Sequence, residues 1–390
     1  MNKKKICIVT GSRAEWGLLC PLAARIKEDN EHFILQLVAT GMHLDADFGL
    51  TYKDIEESGF KVDEKVDISL EDTSTGVANS TGLAITRMAE AYKRLKPDIV
   101  VLLGDRFEIF GAAAAALISR IPIAHIHGGE LTEGAVDDAF RHSITKMSHL
   151  HFTSTGEYRK RVIQLGENPE NVYNVGALGV NNIKNMELLS KDELEKDLDF
   201  TFGDRNFLIT FHPVTLEDDT AGEQFDTLIK TLDKFKDIKF LFTKANADVG
   251  GKEINRRIDD YVGSNGSKAA GFTSMGQLRY LSTLQFVDAV VGNSSSGIIE
   301  APSFGIGTIN IGDRQKGRVR AESIIDCAPS SDEITEAVTR LYSDKFQDVL
   351  DKTTNPYGKE DSDIKIKEIL KNYSIPEDIK KKFYDIPFEC

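Results

Sequence analysis

Short, nearly continuous apolar runs alternate along the chain with stretches in which apolar residues return every third or fourth position. A strand buried on both faces leaves the first pattern in a sequence, and a helix covering such a sheet leaves the second. In the first half the runs fall at 5–10, 33–40, 98–103, 122–126, 150–153 and 172–175. Between them the spacing predicts helices over 15–27, 51–58 and 78–95, the last stopped by Pro97, and an Ala-rich helix from Glu108. After a break at Gly128-Gly129, the residues Val136, Phe140, Ile144 and Met147 recur at helical spacing and predict one more. A second alternating half carries strands at 207–211, 238–243, 269–272, 287–291 and 308–311, with a clear helix over 275–284.

Strands alternating with helices define the α/β class and a parallel, doubly wound sheet, here twice over. A polar, charge-rich stretch separates the halves, and 390 residues exceed what one core usually supports. The chain therefore reads as an N-terminal Rossmann-like domain (1–178), a partly helical connection (179–206), a C-terminal Rossmann-like domain (207–362) and a charged helical end (363–390). The first domain is one surface on which that end could pack, and the two domains are expected to face each other across a cleft.

In doubly wound sheets, ligands sit beyond the carboxyl ends of the strands. Those positions hold Gly11-Ser12-Arg13, Gly41-Met42-His43, Gly104-Asp105-Arg106 and Gly128-Gly129-Glu130 in the first half. In the second half they hold His212-Pro213, Lys244-Ala245-Asn246, Asn293-Ser294-Ser295-Ser296-Gly297 and Gly312-Asp313-Arg314. On the helix that follows Glu130, Asp137 lies one turn from Arg141 and Asp138 one turn from His142.

Charge narrows the partners. A formal net charge of −14 argues against a general nucleic-acid or membrane-surface binder, and an anionic ligand would need a local Arg cluster. The four cysteines form no CxxC or Cys/His metal spacing, which fits a reduced, cytoplasmic setting. MNKKKICIVTG reads as a first strand rather than a signal peptide, and no run approaches the roughly 18 apolar residues of a membrane span.

Each candidate has a plainer reading beside it. Ser294, Ser295 and Ser296 at a helix start suit an anion, or simple capping. Glu300 suits a ribose diol, or the first turn of a helix. Arg314 opens a basic loop that is either a phosphate clamp or a solvated surface, while Arg13, at a strand end after Gly-Ser, favours a phosphate. Asp105, Glu130 and Asp137 could divide general base and acid work, or be ion-paired with Arg106 and Arg141. His212 ends a strand before Pro213, whereas His125, His127, His149 and His151 read as packing residues. HExxH, EF-hand, G-x-G-x-x-G and P-loop patterns are all absent, so metal, dinucleotide and P-loop chemistry are not favoured.

Taken together, GSRAEWG, TGMH, LGDRFE, HIHGGE, VDDAFRHSITKMSHLHF, FHPVT, GNSSSGIIEAPS and INIGDRQKGRVR resemble the hydrolysing UDP-N-acetylglucosamine 2-epimerases, most closely those of bacterial sialic-acid biosynthesis. The resemblance spans nearly the whole chain. It implies a GT-B-like fold and conversion of UDP-GlcNAc and water to N-acetylmannosamine and UDP through a 2-acetamidoglucal. It implies no metal or redox cofactor and a homo-oligomer, dimer or tetramer; the expectation of no nucleic-acid or membrane partner rests on the charge and the absence of a long apolar run. By the same resemblance Asp105, Glu130 and Asp137 match the catalytic carboxylates, and His212 a histidine that helps UDP leave. Arg13, Ser294, Ser295, Ser296 and Arg314 match the UDP phosphate contacts and Glu300 the ribose contact. His43, Arg106, Asp138, Arg141 and His142 match residues around the sugar. Two alternatives stay open: a sister enzyme acting on nucleotide-linked diacetylbacillosamine, and a non-catalytic nucleotide-sugar sensor.

Overall fold

The computed structural model describes residues 3–71, 73–133, 135–213, 221–245, 250–359 and 361–387. Asn246 of the Lys244-Ala245-Asn246 strand end, Val214 and Thr215 of FHPVT, Gly134 and Cys390 lie outside the described residues. Two sheets organise the rest. The first holds β1 (Lys4–Thr10), β2 (Phe33–Thr40), β3 (Glu64–Val66), β4 (Ile99–Leu103), β5 (Ile123–Ile126), β6 (Leu150–Thr153) and β7 (Val172–Asn174). The second holds β8 (Arg205–Thr210), β9 (Ile238–Thr243), β10 (Ala269–Phe272), β11 (Ala289–Gly292), β12 (Gly307–Ile311) and β13 (Ile324–Cys327).

Every pairing among the described strands is parallel. The orders are β3-β2-β1-β4-β5-β6-β7 and β10-β9-β8-β11-β12-β13, so each sheet reverses direction once, between β1 and β4 and between β8 and β11. Strand side chains alternate between two cores. Ile6 and Ile8 pack on one face of β1 and Cys7 and Val9 on the other; Phe207 and Ile209 on β8 oppose Leu208. That burial on both sides is why these runs read as continuously apolar.

The chain separates into two compact units. One comprises Met1–Glu130, Asp137–Asn182 and Lys359–Cys390, the other Leu131–Val136 and Ile183–Gly358. The terminal helix is Ser362–Asn372, shorter than the helical end predicted from the sequence. Beyond Tyr373 the described chain has no regular structure, consistent with Pro376 and the polar run around it. The helix belongs to the first unit: Asp363 is buried against Arg25 (3.2 Å) and Asn181 (2.9 Å). Lys4 closes its carboxyl end by donating to the carbonyls of Leu370, Lys371 and Tyr373. No described helix is long and apolar enough to cross a membrane.

Candidate active site

The first unit gathers charge at its switch point, where β1 and β4 run side by side and their following loops diverge. After β1 the chain turns through Gly11, and Ser12 caps the helix Arg13–Glu28 by accepting from the Glu15 amide. Arg13 pairs with Asp54 at 3.0 Å, and its Nε has no hydrogen-bond partner among the described residues. Glu15 accepts the Gly11 N–H at 2.7 Å. On the other side of Gly11 lies Glu108, wholly buried, so close that a Cβ on residue 11 would fall 2.4 Å from its Oε1. Only glycine fits there. Glu108 accepts from Arg106 Nε at 2.7 Å. Burial and the neighbouring Glu108 push the Glu15 carboxyl up to about 8.

His43 is wholly buried, with Nε2 on Thr10 Oγ1 (3.0 Å) and Nδ1 on Thr51 Oγ1 (2.7 Å). Burial first, then the charge of Arg13, pushes its imidazole down to about 4, so it is neutral at pH 7 and staples β1 to the turn after β2.

Asp105 follows β4 and Glu130 follows β5, the next strand in the sheet. The fold adds a tertiary ion pair that spacing does not suggest. Arg141, buried on the helix Asp137–Met147, engages Asp105, while Arg106 pairs with Glu108, two residues on. Asp138 and His142 do sit together, at 3.5 Å. Glu130 is buried and accepts from Ser154 Oγ at 2.7 Å. His125 supports this edge from below, with Nε2 on the Gly104 carbonyl (2.7 Å) and Nδ1 on Thr145 (3.1 Å). Its burial lowers its pKa to about 3, in keeping with a packing residue. His149 and His151 are likewise buried and hydrogen-bonded, to the Ile379 carbonyl and to Glu167.

In the second unit, Asn293 organises the switch point between β8 and β11. Its side chain accepts the His212 N–H (2.7 Å) and donates to the His212 carbonyl (2.8 Å). Its own carbonyl accepts from Arg314 Nη1 (3.1 Å) and Gln315 Nε2 (2.8 Å). One asparagine thus joins His212, the serine loop and the basic loop. Ser294 caps the short helix Ser295–Ile299, and Tyr280 donates to Ser296 Oγ at 2.7 Å. Glu300 is not in a first turn, because this helix stops at Ile299 and Glu300 is its C-cap. Glu300 is at the same time the N-cap of the next short helix, Ala301–Phe304, so the plainer reading moves from a first turn to a helix start and stays beside the ribose reading.

Sequence reasoning named Asn293 only as part of the serine loop and passed over Glu15, Glu108 and Ser154; the first two lie inside quoted motifs and Ser154 two residues beyond one. Two parallel α/β units, each with polar strand-end loops at its switch point, are the architecture of GT-B-type nucleotide-sugar enzymes. The sequence pattern described as UDP-N-acetylglucosamine 2-epimerase matches residues 24–371, and the chain belongs to that family. It is 45% identical to the hydrolysing GDP/UDP-N,N'-diacetylbacillosamine 2-epimerase of Campylobacter jejuni, covering 99% of this chain and 100% of that one. It is 41% identical to polysialic acid biosynthesis protein P7 of Escherichia coli, covering 99% and 98%. The fold matches the UDP-GlcNAc 2-epimerase of Neisseria meningitidis crystallised with UDP-GlcNAc, at a TM-score of 0.78 and 19% identity over 94% of this chain and 100% of that one.

Proposed function

We propose that the chain is a hydrolysing nucleotide-sugar 2-epimerase that converts UDP-GlcNAc and water to N-acetylmannosamine and UDP. The observation that carries this reading is the pair of tethered carboxylates at the ends of neighbouring strands: Asp105 held by Arg141 and Glu130 held by Ser154. A carboxylate fixed in place can remove the proton from C2 of the sugar while the C1–O bond breaks and UDP departs. The product is a 2-acetamidoglucal. Water then adds at C1 and a proton returns to C2 from the opposite face, giving free N-acetylmannosamine. Asp105, Glu130 and Asp137 are assigned this acid and base work, with Arg106, Asp138, Arg141 and His142 around the sugar. His43, with both ring nitrogens engaged, holds the loop from behind.

The second unit is assigned the nucleotide. Ser294, Ser295, Ser296 and Arg314 are assigned the diphosphate and Glu300 the ribose. Developing negative charge on the leaving oxygen is best met by donors already in place. His212, whose backbone N–H and carbonyl are both bonded by the Asn293 side chain, is assigned that task. The word "hydrolyzing" in the name of the Campylobacter jejuni relative supports release of a free sugar, and the polysialic acid relative supports a role in supplying sialic-acid-type sugars.

One observation favours a second substrate: the 45% identical relative is named for diacetylbacillosamine. Proton NMR in D2O with each nucleotide sugar in turn separates the two. The first reading expects UDP release from UDP-GlcNAc and deuterium at C2 of N-acetylmannosamine. Turnover of the diacetamido sugar alone selects the second reading, and turnover of neither removes both. Asp105→Asn, Glu130→Gln and Asp137→Asn are each expected to abolish UDP release while calorimetry still detects UDP binding; near wild-type turnover in all three ends the catalytic assignment.

A further inference from the structure

Glu130 is held by one residue, Ser154, and flanked by another, His127, and neither the motifs nor the relatives assign these two a role. Ser154 follows β6 and is almost completely buried, its hydroxyl 2.7 Å from Glu130 Oε1. Opposite a carboxylate oxygen, a hydroxyl can only donate when the carboxylate is ionised. Helix capping does not explain this serine. The cap of the following helix, Gly156–Gln164, is Thr155, whose side chain accepts the Tyr158 N–H at 3.2 Å. Ser154 is therefore the residue left over from the Ser-Thr-Gly turn, and it spends its proton on Glu130.

His127 stands on the same oxygen. Its backbone φ is +66°, a conformation that a residue with a Cβ adopts only under strain. The imidazole is buried. Nε2 accepts the Leu178 N–H at 3.4 Å, so Nε2 is the unprotonated nitrogen. The proton then resides on Nδ1, which lies 3.8 Å from Glu130 Oε1. The loop carrying both is itself fastened. Arg161 donates to the Gly129 carbonyl at 2.6 Å, and Gly129, at φ +81°, packs where a Cβ would meet the Tyr158 carbonyl at 2.6 Å.

We propose that Ser154 is a positioning residue for Glu130, fixing one carboxylate oxygen by hydrogen bonding while the strained His127 sets the side of the ring that faces it. The inference rests on the catalytic reading of Glu130 given above. Glu130 would then meet the sugar in one orientation, and loss of the tether would lower kcat more than it raises KM, because a misaimed base still leaves the substrate bound.

The test is a mutant cycle on UDP release from the nucleotide sugar that the enzyme turns over. Ser154→Ala is expected to lower kcat about tenfold or more, with KM within roughly twofold. Glu130→Asp withdraws the carboxylate by one methylene from Ser154, so Ser154→Ala in that background should cost less than about twofold. Ser154→Cys, of similar size but a weaker donor, should fall between serine and alanine. His127→Asn, which tolerates positive φ, should keep the wild-type melting temperature yet lose turnover. Equal losses from Ser154→Ala in both backgrounds, or a wild-type kcat for Ser154→Ala and Ser154→Cys alongside an inactive Glu130→Gln, would overturn the tether and leave the role of Glu130 intact. Full turnover by Glu130→Gln would instead remove the catalytic reading itself.

Discussion

Glu15 and Glu108 press on Gly11 from two sides, and the guanidinium of Arg106 donates a hydrogen bond to Glu108. A second buried charge there would cost more than holding a proton. Burial and Glu108 move Glu15 up from an ordinary 4.5 to about 8, with Arg106 opposing and Asp105 adding to the rise. The consequence for stability has a definite sign. An acid whose folded value is raised keeps its proton in the fold where the open chain has lost it, so stability falls as pH rises from about 4.5 to about 8 and levels off above. The slope from this one group is at most about 1.4 kcal/mol per pH unit. Glu15→Gln keeps an oxygen for the Gly11 amide and removes the titration. Its melting temperature relative to wild type should climb between pH 5 and 8 and then stay constant. A difference independent of pH would mean that Glu15 is ionised in the fold throughout.

Elements carry a different kind of constraint, seen where β11 ends. Gly292 has φ +129°, and a Cβ there would lie 2.0 Å from the carbonyl oxygen of Thr210 on the neighbouring strand β8. Gly292→Ala must therefore push a pair of core strands apart, and a loss of more than about 3 kcal/mol is expected. Gly312, after β12, has φ +73° but no described atom within 4 Å of a Cβ, so Gly312→Ala should cost only about 1 kcal/mol. Chemical denaturation of the two variants checks the contrast, and similar losses would count against the steric argument. The same elements show what the sequence can disclose. β1 and β8 were legible because both faces are buried, and their apolar runs follow from that. β3, written EKV, and β13, written IIDC, are short edge strands with exposed charged positions, and nothing in their pattern sets them apart from loop. Candidate carboxylates were legible as residues at strand ends, but not their partners. Arg141 lies one turn from Asp137 in sequence, and nothing in that spacing discloses its contact with Asp105, 36 positions away, which the packing of the α/β layers brings to it. Ser154 was hidden for the opposite reason: Ser-Thr-Gly before a helix looks like a cap, and only the fold shows that Thr155 takes that task.

At the scale of the first unit as a whole, the last described residues are a strap rather than a loose end. Lys381 donates to the carbonyls of Lys146 (2.9 Å) and Ser148 (2.5 Å) and pairs with Glu167 at 2.6 Å. His149 meets the Ile379 carbonyl at 3.1 Å, and Tyr384 donates its N–H to the Gly166 carbonyl at 2.9 Å. The strap closes over the carboxyl end of the helix Asp137–Met147, whose first turns bear Asp137, Asp138 and Arg141. Orphan carbonyls at a helix end need a cation or a donor, and here Lys381, from more than 200 positions away in the chain, supplies both. Burial alone would raise the Glu167 carboxyl, but hydrogen bonds from His151, Lys146 and Lys381 hold it down at about 2. That pairing therefore contributes stability above an ordinary carboxylate value and is lost only as pH falls toward 2. Truncation after Tyr373 removes one of the two lysines from Glu167 and uncaps the helix. We expect a loss on the order of 3 kcal/mol in the first unit, or roughly 6–12 °C in its melting temperature. Faster amide exchange should appear at 146–150 and around Gly166, where the strap is fastened. If truncated and full-length chains melt together and exchange alike, the segment is passive. If turnover also falls while UDP binding is kept, the strap acts through the helix it caps, since the carboxylates at the far end of that helix are the groups whose aim would change.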